Sequence, residues 1–137
     1  MYTHITQLRV RYGETDQMGY LYYGNYALFY EVGRVEDIRN LGIVYKDIEK
    51  EMGLAMPVVE MRSRYLRPAH YDDLITIKTT VRKWPERSIT FLAELFNEEG
   101  TLLNQGEVKL VFIDIPTGKR VDMPKPLLDL LQPYFNS

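Results

Sequence analysis

Two carboxylates are placed where they could do chemistry. Asp16 lies in a polar, aromatic, Gly-containing stretch, residues 13–24, just ahead of a segment with helical period. A loop Asp ordinarily caps its own turn, but the same group can serve as a general base or a nucleophile. Glu31 falls inside the apolar arc of the helical segment. A carboxylate there needs a partner, and Arg34 or another subunit is expected to supply it. Basic residues gather in two places. Arg62 and Arg64 share a strand face, and Arg82, Lys83 and Arg87 stand with Ser88 around Trp84. Arg suits bidentate contacts to phosphate. Each of these cations alone reads as a solvated surface charge, so the cluster is the stronger pointer to an anionic ligand.

Other chemistries are excluded by residue type. There is no Cys, which removes disulfides, Cys-ligated zinc and Cys nucleophiles. His4 and His70 are the only histidines, and their spacing fits no metal site, so no metal is expected. No phosphate-binding Gly loop, dinucleotide fingerprint or nucleophilic Ser elbow is present.

The elements that must position these groups follow from periodicity. Residues 3–12 alternate, with Leu8, Val10 and Tyr12 on one face and Gln7, Arg9 and Arg11 on the other, which predicts a strand. Asn25 is expected to cap a helix running from Tyr26 to Leu41, with Ala27, Leu28, Val32, Val35 and Ile38 on its apolar arc and Gly42 as its stop. A second short helix is expected over 44–52, ended by Gly53. Period two then returns. Ala55, Pro57, Val59 and Met61 alternate with polar neighbours, and Pro57 suggests an edge or a bulge. Ile75, Ile77 and Val81 form a second set, and Ile89, Phe91, Ala93 and Leu95 a third. Turns are expected at 68–73, 85–86 and 97–100, a last strand over 101–115, and a short helix over 124–135. Strand, long helix, then four strands on short turns is an α+β pattern, with one antiparallel sheet curled round one helix.

The 137 residues suit one domain, 1–137. A net charge of −2 gives no overall footprint for nucleic acid. No apolar run approaches a membrane span and no leader is visible at the first residues, so the cytoplasm is the expected compartment.

The run Arg11–Tyr26, Arg-Tyr-Gly-Glu-Thr-Asp-Gln-Met-Gly-Tyr-Leu-Tyr-Tyr-Gly-Asn-Tyr, resembles the signature of the 4-hydroxybenzoyl-CoA thioesterase family. There, Y-x-(D/E)-T-D-x-x-G-x-x-(Y/F)-x-x-x-Y joins the first strand to the central helix. The likeness continues through Phe29, Tyr30, Glu31 and Arg34, then Tyr65-Leu66-Arg67-Pro68-Ala69 and Tyr71-Asp72-Asp73.

This resemblance implies a hotdog fold, a five-stranded antiparallel sheet wrapped round one long helix. It implies a homodimer paired edge to edge, commonly doubled to a tetramer, with active sites at the subunit interface. It implies an acyl-CoA substrate and no separate cofactor. Asp16 matches the family's catalytic carboxylate, and the main-chain N–H of Tyr23 its oxyanion donor. Gly19 would let the loop pass close to the thioester. Tyr22, Asn25, Tyr26 and Glu31 would contact substrate, and Arg62, Arg64, Arg82, Arg87 and Ser88 would meet its phosphates. Tyr stands at 23 where some relatives carry His, which argues against His-assisted hydrolysis. No His lies between Tyr12 and Leu41, which argues against the dehydratase branch. Two alternatives stay open: an acyl-carrier-protein substrate, and a non-catalytic acyl-thioester-binding protein. Tyr20, Tyr22, Tyr26, Phe29 and Tyr30 would make an aromatic pocket suited to an aryl or short acyl group, although the same rings could fill core or interface.

Overall fold

A computed structural model describes residues 1–135. Its elements run β1 (Tyr2–Arg9), α1 (Tyr26–Leu41), α2 (Tyr45–Met52), β2 (Leu54–Ala55), β3 (Val58–Tyr65), β4 (Leu74–Val81), β5 (Ser88–Phe96), β6 (Leu102–Asp114), β7 (Arg120–Val121) and α3 (Lys125–Leu131). All strand pairs are antiparallel, and the five long strands lie in the order β1, β4, β5, β6, β3. The two-residue strands β2 and β7 both pair with the far end of β6, so the sheet has seven strands where five were expected.

The sheet curls round α1, as period-two strands with one apolar face require. Ile75 and Ile77 of β4, Ile89, Phe91, Ala93 and Leu95 of β5, and Val108, Leu110 and Phe112 of β6 are buried together with Phe29, Tyr30 and Ile38 of α1. This is the expected hotdog arrangement. Two glycines set how closely helix and sheet meet. A Cβ on Gly33 would sit 2.3 Å from Thr79 Oγ1, and one on Gly106 would sit 2.2 Å from the Tyr30 ring.

Four expectations need correction. The strands after the helix are not four consecutive hairpins. β3 pairs with β6, so the segment 66–73 carries the chain from one edge of the sheet to β4 beside the other edge. The buried face of α1 is Tyr26, Phe29, Tyr30, Gly33, Asp37 and Ile38, not the arc through Ala27, Leu28, Val32 and Val35. Leu28 and Glu31 are exposed. The period was read correctly, but two interior polar groups, Asp37 and the Tyr30 hydroxyl, hid its phase. Tyr12 leaves the inward row of β1: Val10 is buried, but the chain then turns and Tyr12 is exposed. Asn25 occupies the N-cap position without capping through its side chain. Gly42 stops α1 in the left-handed conformation, as expected.

Candidate active site

Asp16 sits at the base of a miniature hairpin. Thr15 and Leu21 bridge across it, and Asp16 N donates to Tyr20 O at 2.9 Å. Gly19 closes the turn: its N–H donates to Asp16 O at 3.0 Å, and its φ of +78° lies where a side chain is disfavoured. Asp16 Oδ1 accepts from Met18 N at 2.9 Å and Tyr20 N at 3.2 Å. The turn-capping reading of this Asp is therefore correct for one oxygen. Among the described residues, Oδ2 takes no such bond, so the carboxylate is pinned by one oxygen and offers the other.

The hairpin is anchored beneath. Leu21 N donates to Ala69 O at 2.8 Å, Tyr71 N to Gly19 O at 3.2 Å, and Tyr20 bridges His70. The crossover 66–73 is thus the floor on which the Asp16 loop rests.

A groove of about 360 Å³ opens beside Asp16, lined also by Tyr23, Tyr26, Tyr65, Leu66 and Arg67. The rings are braced edge to face, Tyr26 on Tyr65 at 5.1 Å and Tyr23 on Tyr65 at 6.5 Å. Tyr26 is buried, and burial pushes its hydroxyl up; nearby Tyr65 and Asp16 add to that, while the Ala69 backbone opposes it. Tyr23 opens the short turn that runs into α1. Among the described residues no acceptor takes the main-chain N–H of Tyr23 or Gly24. Free N–H groups at a helix start favour a negative atom.

The site residues expected from sequence separate into groups. Asp16, Tyr23 and Tyr26 line one groove. Gly19 does not line it; a Cβ there would meet no described atom within 4 Å, and its φ is the constraint the fold places on it. Tyr22 packs on Tyr23 at 4.7 Å. Asn25 does not line the groove, and its Nδ2 donates to Glu14 O at 2.9 Å. Glu31 is exposed on α1 and forms no ion pair with Arg34 among the described residues; Arg34 lies instead beside Tyr45.

The basic residues also divide. Arg82 and Ser88 line a second cleft of about 360 Å³ with Lys83 and Trp84, but Arg82 is paired with Glu107 at 2.9 Å. Arg87 turns away to Asp122 at 3.5 Å. Arg62 lies in a small charged hollow with Glu60, Glu107 and Lys109, while Arg64 is exposed. Neither the second cleft nor the hollow shares a lining residue with the Asp16 groove.

The sequence reading gave no role to Tyr65, Leu66 or Arg67. Their signal was present in the Tyr65–Ala69 run, but only the crossover topology brings that run to Asp16. Among the described residues Arg67 is the one cation lining the groove. Among the described residues no three His, Asp or Glu side chains gather as a metal site, and no helix is long and apolar enough to cross a membrane.

Residues 10–131 match the thioesterase-like superfamily. The chain belongs to that family. Its relatives include the acyl-CoA thioester hydrolase YbgC of Escherichia coli O6:H1, 33% identical over 88% of this chain and 90% of the relative. The acyl-CoA thioesterase YbgC of Haemophilus influenzae is 30% identical over 86% of each. Among solved structures, a DHNA-CoA thioesterase from Staphylococcus aureus is 36% identical, with a TM-score of 0.85 over 98% of this chain and 85% of that one. The hotdog fold and the thioesterase family are therefore as the signature implied.

Proposed function

We propose that this thioesterase-family chain hydrolyses acyl-CoA thioesters carrying an aryl or short acyl group, with Asp16 as the catalytic carboxylate. The observation that carries the proposal is the placement of a half-pinned carboxylate in one aromatic groove with the entry turn of α1. Asp16 Oδ2 takes a proton from water, and the water attacks the thioester carbonyl. A positioned base contributes about 10²–10⁴-fold. The oxygen that becomes negative faces the N–H groups of Tyr23 and Gly24, where one such donor is worth about 10²–10³-fold. Collapse expels the CoA thiolate. Direct attack by Oδ2 would instead give a mixed anhydride.

The lining supports the acyl preference. Tyr20, Tyr23, Tyr26 and Tyr65 present ring faces and edges, which suit an aryl group. The Staphylococcus aureus relative, named for an aryl-CoA, supports it further. Arg67 and the Arg82–Ser88 cleft are the anion-binding candidates for the CoA phosphates. A homodimer fits the open edge of β3.

The test is thiol release from a panel of aromatic, short and long acyl-CoAs by wild type and Asp16→Asn in parallel. The expected result is turnover of aryl or short esters by wild type and loss of most of it in the variant. Wild-type rates in Asp16→Asn would remove Asp16 from the mechanism. A folded wild type that releases no thiol from any CoA ester would move the substrate to a carrier protein or the role to binding.

A further inference from the structure

The main-chain oxygen of Glu14 ties together the two halves of the proposed site. It accepts from Tyr22 N at 2.9 Å and from Asn25 Nδ2 at 2.9 Å. Glu14 stands two residues before Asp16, while Tyr22 and Asn25 flank the free N–H groups of Tyr23 and Gly24. The node is itself held. Glu14 is 6% exposed, and its two carboxylate oxygens accept from Arg11 N at 2.7 Å and Arg11 Nη2 at 3.0 Å.

Asn25 closes the short turn Tyr23–Asn25 that runs into α1. An Asn at a helix N-cap normally turns its side-chain oxygen onto the first helical N–H groups. Here the helical turns begin at Tyr23, after the extended Tyr22, so Asn25 already has helical φ −91°, ψ −7° and its side chain makes no cap bond. The amide instead reaches across the loop to Glu14.

We infer that Asn25 is a positioning residue: its amide, through the Glu14 carbonyl, sets the Asp16 carboxylate at working distance from the oxyanion donors. The inference rests on the reading of Asp16 given above and extends it to a residue that touches no substrate. Carboxylate and donors must be held to a fraction of an ångström, and a misplacement of about 1 Å costs on the order of 10²-fold in rate.

The experiment compares wild type, Asn25→Ala, Asn25→Gln and Asp16→Asn by two readouts. Amide hydrogen exchange is followed over residues 14–25, and kcat and KM are measured separately on the best-turned-over CoA ester. Asn25→Ala is expected to speed exchange in this segment alone, to lower kcat by about 10- to 100-fold with KM nearly constant, and to melt close to wild type. Asn25→Gln, which keeps the amide, should recover part of kcat. Unchanged exchange over 14–25 in Asn25→Ala would overturn the inference, whatever the turnover. So would a raised KM with unchanged kcat, which would make Asn25 a substrate contact. Full activity in Asp16→Asn would instead remove the underlying reading, an outcome read from a different variant.

Discussion

The hydroxyls of Tyr30 in α1 and Ser63 in β3 meet at 2.6 Å, and Asn104 of β6 bonds to both. Asn104 is fully buried and also donates to Arg64 O at 2.9 Å. Ser63 is the one residue of β3 that is not exposed. The central helix is thus fastened to the sheet's outer strand by a small polar network in place of apolar packing. Burial pushes the Tyr30 hydroxyl up to about 12, so it stays a neutral donor.

Tyr30→Phe removes that fastening and leaves Asn104 Oδ1 buried without its donor. An orphaned buried polar group costs about 1–3 kcal/mol. Urea denaturation should show a loss of this size. Stability equal to wild type would mean that the network contributes nothing net.

Gly33→Ala tests the approach of helix to sheet. Ala at a helix interior favours the helix by roughly 1 kcal/mol over Gly. The new Cβ would lie 2.3 Å from Thr79 Oγ1 and 2.8 Å from Ile77 Cγ2, and overpacking of this kind costs about 1–3 kcal/mol. The clash should win, so the variant is expected to unfold at lower denaturant. A more stable variant would show that α1 can lift from β4 at little cost.

Asp37 gives the molecule a pH dependence. Its carboxyl is wholly buried in α1, and among the described residues neither oxygen is hydrogen-bonded. Burial pushes it up to about 9, and the His4 backbone, near but outside bonding geometry, only partly opposes this. The unfolded chain releases this proton above about pH 4, whereas the folded chain retains it to about 9. The unfolded state therefore binds fewer protons across that window, and stability falls as pH rises through it. Wild type should melt higher at pH 5 than at pH 8. Asp37→Asn, neutral throughout, should flatten the profile and gain most at pH 8. A variant with the same slope as wild type would place the charge change elsewhere.

Much of this was legible in the sequence. The strands over 74–81 and 88–96 follow from period, the helix from Tyr26 to Leu41 from its length and its Gly42 stop, and the Asp16 loop from its glycines and polar residues. The phase of α1 was not legible, because a buried Asp37 and a buried Tyr30 hydroxyl look polar until their surroundings are known. Nor was the pairing of β3 with β6, since short turns usually join neighbours and only three-dimensional closure sends 66–73 across the sheet. For that reason the sequence points to the Arg82–Ser88 cluster and not to Arg67, which only the crossover brings to the groove. The splitting of the basic cluster is a pairing effect: Glu107 and Asp122 claim two of its members.

Arg67→Ala should therefore raise KM for CoA esters and leave kcat largely unchanged, since the side chain lines the groove without a carboxylate partner among the described residues. The effect should shrink as salt is raised, because it is electrostatic. A fall in kcat at constant KM would give Arg67 a part in the chemical step.

β3 supplies one more expectation. Val58, Val59 and Met61 are each about half exposed, and beyond β6 the strand has no neighbour among the described residues. A long bare edge with apolar side chains is a template for another strand. Light scattering should find a dimer, and Met61→Pro, which removes a ladder N–H, should shift it towards monomer. A wild type that runs as a monomer at all concentrations would show that the edge stays unpaired.

The crossover 66–73 and the hairpin above it have a consequence for how this protein can change. Side chains that shape the groove, Met18, Tyr20, Leu66 and Arg67, hang from loops at one end of the sheet, while the packed interior is built from β4, β5, β6 and α1. If the groove takes the acyl group, substrate range and thermal resilience should vary separately at these four positions, which lie outside the buried core. A library restricted to those four positions can explore new acyl groups without drawing on the interactions that keep the chain folded.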